Sequence, residues 1–235
     1  MRRKKLIINM LIMTASTIIF GLISMVFRVY LSQKIGTEGM GLYQLIMSVY
    51  YMFVTLSSAG IRIAITRLVA EQIGRGNQGK VKSIVHKGCI YSLFFSLTAS
   101  VILFNYADDI SINFLKDPRA INSLKILSYG LPFIGVSSCL NGYFYGAREV
   151  VKSVSAEIIE QFVMMGIVVT AVNLFAGTSI EKVCALISVG FALGNIVSTV
   201  YAYFLCSLNT QPLNRNVVCL KQNKCKMMDI TKIAL

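Results

Sequence analysis

Six apolar runs divide this chain: residues 6–31, 42–66, 88–107, 121–145, 155–176 and 183–208. Each holds about 20–26 residues, enough to cross a hydrocarbon core of about 30 Å at 1.5 Å per residue. Inside lipid a segment must satisfy its own backbone N–H and C=O groups, so such runs fold as helices. The reading is an all-α integral membrane protein, a six-transmembrane-helix bundle. Composition agrees: 55% of residues are hydrophobic, 14% are charged and the mean hydropathy is +0.68, where a soluble domain carries about a quarter charged residues. Arg2, Arg3, Lys4 and Lys5 ahead of the first run imitate a signal peptide. The run is too long for that, since a signal core ends after about 7–15 residues at a small-residue cleavage site.

Orientation follows from lysine and arginine in the short connections, which accumulate on the cytoplasmic side. With the amino terminus inside, sixteen fall on cytoplasmic pieces: residues 2–5, Arg67, Arg75, Lys80, Lys82, Lys87, Arg148, Lys152 and five in the tail. Five fall outside: Lys34, Lys116, Arg119, Lys125 and Lys182. Both termini are therefore expected in the cytoplasm of a multi-pass cell-membrane protein, with 1–208 forming the bundle and 209–235 a basic tail. The net charge of +13 is that of loops facing anionic lipid. It comes with no basic helix or finger motif, which argues against nucleic acid.

Glycine and proline mark the connections. Gly36, Gly39 and Gly41 are expected to form the first outer turn, and Gly74, Gly76 and Gly79 an inner loop. Asp117-Pro118 should open the fourth helix, because proline is tolerated in a first turn, and Pro132 should kink it. Gly142/Gly146 and Gly190/Gly194 have the small-xxx-small spacing that lets membrane helices approach closely. A faint similarity links 56–67 (LSSAG…ITR) with 136–148 (VSSCL…GAR), too weak to define a repeat.

No catalytic constellation, cofactor motif or metal-ligand spacing is present, so the chain does not read as an enzyme. His86 is a lone interfacial histidine, and Asp108-Asp109 read as a solvated loop. Cys89, Cys139, Cys184 and Cys206 sit in apolar runs, where cysteine behaves as a small hydrophobe; Cys219 and Cys225 lie in the tail with no zinc spacing. The informative residues are polar groups within the runs: Arg28, Arg62, Asn141, Glu157, Glu160 and Gln161. An arginine at the bilayer centre costs about 2.5–3.5 kcal/mol on insertion scales. Arg28 and Arg62 each have two readings, a side chain snorkelling to the interface or a functional cation. Glu157 and Glu160 line a cavity or sit at a favourable helix N-terminus, and Asn141 bonds a substrate or a neighbouring helix. If Arg28, Arg62, Glu160 and Gln161 share a cavity, the guanidinium groups suit a phosphate-bearing lipid-linked sugar, moved by alternating access.

The segments FRVYLSQKIGTEGMGLYQLIMSVYYMFVTLSSAGIRIAITRLVAEQIGRGN (27–77) and GYFYGAREVVKSVSAEIIEQ (142–161) resemble the stage V sporulation protein B branch of the polysaccharide biosynthesis (oligosaccharide flippase) family. That family belongs to the multidrug/oligosaccharidyl-lipid/polysaccharide (MOP) superfamily with the lipid II flippase and multidrug exporters. The resemblance implies two six-helix lobes around a central cavity, undecaprenyl-linked saccharides as substrate, and a link to spore cortex peptidoglycan. It implies that Arg28 is the essential first-helix arginine. Where the family pattern has an arginine about three residues after the EQ pair, Met164 stands, which removes a cation from the fifth helix. Family members are about twice as long. The resemblance thus implies the amino-terminal lobe, with DITKIAL resembling the start of a seventh helix, and a second lobe possible as a separately encoded partner. Two other readings stay open: a lobe of a cation-coupled multidrug exporter, which wants acids deeper than Glu157 and Glu160, and an inactive fragment or scaffold.

Overall fold

The computed structural model describes residues 2–58, 60–76, 78–174 and 180–210. Every regular element among them is helical. The tail expected over 209–235, including Cys219 and Cys225, lies almost wholly outside the described residues, as does the end of the run expected at 176.

The first element, α1 (Arg2–Ser58), is two helices joined at Gly36, whose φ of 77° and ψ of 176° are non-helical. Only glycine takes this conformation without steric cost. The loop expected over Gly36, Gly39 and Gly41 contracts to that one residue, and helix resumes at once. A Cβ on Gly39 would collide with the Ile35 side chain, so the bare backbone permits the tight junction.

Neighbouring helices fix the direction of each half. Before Gly36, Gln161 Nε2 donates to Ser24 Oγ at 3.2 Å and Tyr30 Oη donates to Asn173 Oδ1 at 3.2 Å. This half therefore runs parallel to α7 (Val150–Leu174). After Gly36, the Cys184 thiol points to the Gly39 carbonyl at 3.9 Å, and the Tyr43 and Phe191 rings lie 6.5 Å apart. That half runs parallel to α8 (Ile180–Thr210). Helices α7 and α8 are antiparallel: a Cβ on Gly194 would sit 3.2 Å from the Glu160 carbonyl, and one on Gly190 2.7 Å from Val168. The two halves of α1 thus run in opposite directions.

Helix α2 (Ile61–Gly74) follows a second break at Gly60, with φ 77° and ψ −33°. This break falls inside the run expected to be continuous over 42–66, because hydropathy does not register one glycine in a positive-φ conformation. Helix α3 (Gln78–Asn105) begins ten residues before the apolar run at 88, since its basic first turns are helical although they are not apolar. A short turn, α4 (Ala107–Asp109), and a π-helical turn at Ile110–Phe114 lead to a 3-10 turn at Pro118–Ala120. Asp117 caps that turn, accepting from the Arg119 backbone N–H at 2.9 Å; the Asp-Pro pair expected to open the fourth helix thus opens a 3-10 turn just ahead of it.

The fourth run is α5 (Ile121–Ser128) and α6 (Leu131–Gly146), with the stretch from Pro118 bent by 46° against α6. Pro132 supplies the expected kink, since it has no N–H to offer the Ser128 carbonyl one turn earlier. Helix α3 repairs the loss with a ladder of serines. Ser100 Oγ donates to the Ser128 carbonyl at 2.7 Å, Ser96 Oγ lies 3.5 Å from the Pro132 carbonyl, and Ser92 Oγ donates to the Gly135 carbonyl. Ser100→Ala should therefore destabilise the bundle by about 1–3 kcal/mol, the cost of a buried unpaired acceptor. In a Pro132→Ala background, where a backbone N–H is restored, the loss should be smaller. Thermal unfolding of the four proteins of this double-mutant cycle in detergent measures the difference.

Both small-residue pairs are packing faces. A Cβ on Gly142 would lie 2.9 Å from the Arg62 carbonyl, and one on Gly146 2.8 Å from the Thr66 carbonyl. Thr66 Oγ1 donates to the Gly142 carbonyl at 3.0 Å. Within the two faintly similar segments, Arg62 and Thr66 thus pack against Gly142 and Gly146 where α2 crosses α6.

Among the described residues four stretches are long and apolar enough to cross a membrane: Met10–Gly74, Gly79–Asn105, Val150–Asn173 and Ile180–Leu208. The bent pair makes five if it is one span. The difference from the expected six lies in Met10–Gly74, whose 65 residues count as one stretch. Val26, Phe94, Phe162 and Tyr203 are exposed on the outside of the bundle, the surface of a protein whose solvent is lipid.

Because α2 and α6 run parallel and α3 starts where α2 ends, Arg67, Arg75, Lys80 and Arg148 fall at one end of the bundle. The opposite end is tied by polar pairs: Arg119 with Glu38 at 2.8 Å, Lys125 with Asp108 at 2.8 Å, and Asn122 with Glu181 at 2.8 Å. Glu38 and the adjacent Asp117 raise the Arg119 pKa above its ordinary value, the Glu38 hydrogen bond contributing most. Asp108, expected as an unpartnered loop acid, is instead paired with Lys125 because the bend in the fourth run brings α5 over α4.

Candidate functional site

Helix α7 organises the polar residues of the bundle. Glu157, Glu160 and Gln161 follow one another at helical spacing and are all half-buried. The Glu157 carboxylate lies near the Tyr145 hydroxyl of α6 and has Arg62 of α2 as its electrostatic neighbour. One turn on, the Glu160 carboxylate lies near Glu157 and near Ser198 of α8, whose hydroxyl donates to the Ala156 carbonyl at 3.2 Å. Gln161 reaches across to Ser24 of α1, one turn before Arg28.

Arg28 lies at the edge of the contact between α1 and α7. Phe27 and Leu31 bury themselves against Met164 and Val168, which leaves Arg28 exposed beside them. Its electrostatic neighbours are Tyr43 and Tyr51, on the half of α1 that folds back. Tyr50 and Tyr51 in turn feel Glu160. Among the described residues neither Arg28 nor Arg62 forms an ion pair at contact distance.

Tyr51 lies near both Arg28 and Glu160, Gln161 bonds Ser24 one turn before Arg28, and Arg62 lies near Glu157, one turn earlier on α7. Asn141 stands apart. It is buried, and its Oδ1 accepts from Ser153 Oγ at 2.9 Å, joining α6 to α7. Met164, where the resemblance leads one to expect arginine, packs in the core with Phe27 and Leu31. A cation there would be buried without a partner, which is costly.

The tyrosines are the residues that reading the sequence missed. Tyr43, Tyr50 and Tyr51 share one face through spacings of seven and eight residues, a signal present in LYQLIMSVYY but indistinguishable from an interfacial aromatic belt. Tyr50 Oη is buried and has no hydrogen-bond partner among the described residues. These tyrosines and Arg28 bring polar groups into a largely apolar bundle.

A helical bundle whose outer surface is apolar, with polar groups collected along one inner helix, is a polytopic membrane protein. Residues 6–230 match the polysaccharide biosynthesis protein family, and this chain belongs to that family. It is 29% identical over 196 residues to stage V sporulation protein B of Bacillus subtilis, a match covering 83% of this chain and 38% of that protein. It is 22% identical over 167 residues to the lipid II flippase MurJ of Bacillus subtilis, covering 68% of this chain and 31% of that protein. A segment of 91 residues, 37% of the chain and 20% of the relative, is 33% identical to the probable multidrug resistance protein NorM of Thermotoga maritima. These relatives place the chain in the MOP flippase superfamily. The chain spans 38% or less of the length of each of these relatives. No solved structure matches.

Proposed function

We propose that this chain is one lobe of a flippase that carries undecaprenyl-linked oligosaccharide or peptidoglycan precursor across the cytoplasmic membrane. The observation that carries the reading is Arg28: an exposed guanidinium with no ion-pair partner at contact distance, held in an apolar wall beside Tyr43 and Tyr51. Its planar donors suit a pyrophosphate, while the polyprenyl tail stays in lipid. Gln161 and Glu160 are read as contacts to the saccharide, and Arg62 with Glu157 as a second polar station nearer the basic end.

In this reading Met10–Gly74 crosses twice. Its halves pack in opposite directions, and 65 residues far exceed the roughly 20 that one crossing needs. That makes six crossings, with the lysine- and arginine-rich end and both termini in the cytoplasm. Alternating access requires a second lobe to rock against this one, supplied as a carboxy-terminal partner. The similarity to stage V sporulation protein B supports a role in spore cortex formation.

The test is co-expression of this chain with a complementary carboxy-terminal lobe in a spore-forming strain that lacks its own stage V sporulation protein B. Restored cortex synthesis is expected; a cortex defect that persists with both lobes stably in the membrane removes the reading. The NorM similarity favours one other reading, an exporter lobe. It requires the same pair of lobes to confer drug resistance without restoring cortex.

A further inference from the structure

Three cysteines from three helices meet between the bend of the fourth run and the basic end. Cys89 of α3 donates its S–H to Cys139 Sγ of α6 at 3.4 Å, and Cys139 in turn points to the Val85 carbonyl at 3.7 Å. Cys206 of α8 is an electrostatic neighbour of both. Cys89 and Cys139 are thiols and not a disulfide. The backbones come close here because α3 presents Gly88, where a Cβ would lie 3.0 Å from Cys139 Sγ and 2.4 Å from Ile65.

We propose that Cys89 and Cys139 form an oxidisable dithiol, which a peroxide converts into an intramolecular disulfide that clamps α3 to α6. A disulfide needs its two sulfurs about 2.05 Å apart, and the two thiols already lie 3.4 Å apart across two packed helices. The chemistry runs in two steps. The half-buried Cys89 thiol attacks hydrogen peroxide; the O–O bond breaks, a sulfenic acid forms and one water leaves. Cys139, fully buried and in contact with it, attacks the sulfenic sulfur; the S–S bond forms and the hydroxyl leaves as a second water. Two thiols are oxidised and one peroxide is reduced. A dithiol reductant reverses the step. Both sulfurs lie in apolar surroundings, so small neutral oxidants and reductants reach them more readily than charged ones. The clamp fixes α3 against α6 below the bend that the serine ladder supports. This inference concerns the chain's own thiols and is independent of the substrate proposed above.

The experiment uses the full chain in phospholipid nanodiscs exposed to hydrogen peroxide. Remaining thiols are then alkylated in denaturant and the digest is read by mass spectrometry. Of six cysteines, two are expected to be lost per chain, in a cross-linked peptide pair joining Cys89 to Cys139, and dithiothreitol should return both. Cys206→Ser should leave this link intact, while Cys89→Ser and Cys139→Ser should each abolish it. Gly88→Val, which alters no cysteine but holds α3 away from Cys139, should slow the reaction several-fold. Thiols that stay alkylatable overturn the proposal. So does a link between Cys139 and Cys206, a link between two chains, or a rate unchanged in Gly88→Val.

Discussion

Arg28→Ala is expected to reduce transport of a lipid-linked saccharide by about 10- to 100-fold in proteoliposomes that hold this chain with its complementary lobe. The size follows from the bond removed. A charge-assisted hydrogen bond contributes about 1.5–3 kcal/mol, and each 1.4 kcal/mol is tenfold. Arg28 has no carboxylate partner at contact distance among the described residues, so the loss should appear in substrate handling and leave stability nearly unchanged. Arg28→Lys keeps the charge but not the planar fork, and should recover only part of the rate. Tyr51→Phe, which removes a hydroxyl near Arg28, should have a smaller effect in the same direction. Protection of the saccharide head group from an external modifying enzyme reads all four proteins, and an Arg28→Ala rate equal to wild type sinks the role assigned to this residue.

Gly146→Val should destabilise the bundle more than Ser100→Ala does. A Cβ at this position would lie 2.8 Å from the Thr66 carbonyl and 2.9 Å from Val69. Backbone cannot yield as a flexible side chain does, so α2 must move away from α6. The neighbouring bond from Thr66 to the Gly142 carbonyl, 3.0 Å long, goes with it. Overpacking of this kind costs about 1–3 kcal/mol, to which the lost hydrogen bond adds about 1 kcal/mol. For a chain of this size that corresponds to a fall in Tm of about 4–16 °C. Gly166→Val supplies the contrast. Gly166 lies on the exposed side of α7 with nothing within 4 Å of a Cβ, so its melting temperature should stay near wild type. Equal shifts for the two substitutions would show that the contact between α2 and α6 does not hold in solution.

The close contact at Gly146 and the break at Gly60 differ in how legible they were. Gly142/Gly146 announces itself because small-residue spacing on a membrane helix has one common use. Gly60 sits in a run whose hydropathy is uninterrupted, and its positive φ leaves no trace in apolarity. The bend at Pro132 was legible, since proline cannot donate to the Ser128 carbonyl. Its repair was not: Ser92, Ser96 and Ser100 lie on α3, far along the chain from the atoms they satisfy, and serine is common in membrane helices with no such task. The candidate site divides in the same way. Arg28, Arg62, Glu157, Glu160 and Gln161 drew notice because charge and amide are expensive in lipid. Tyr43, Tyr50 and Tyr51 did not, because tyrosine is inexpensive near an interface.

The sequence by itself determined that this chain is a helical membrane protein, where its apolar segments lie and which loops carry positive charge. Those properties are local: they depend on the transfer free energy of consecutive residues and on backbone groups satisfied within one helix. The tertiary structure alone decided that α1 doubles back at a single glycine. It decided that Asn141 is spent on Ser153, while Arg28 has no ion pair among the described residues. It also decided that Cys89 meets Cys139. Those are pairings between residues far apart in the chain, settled by which helices can approach most closely, and no window of sequence contains both partners.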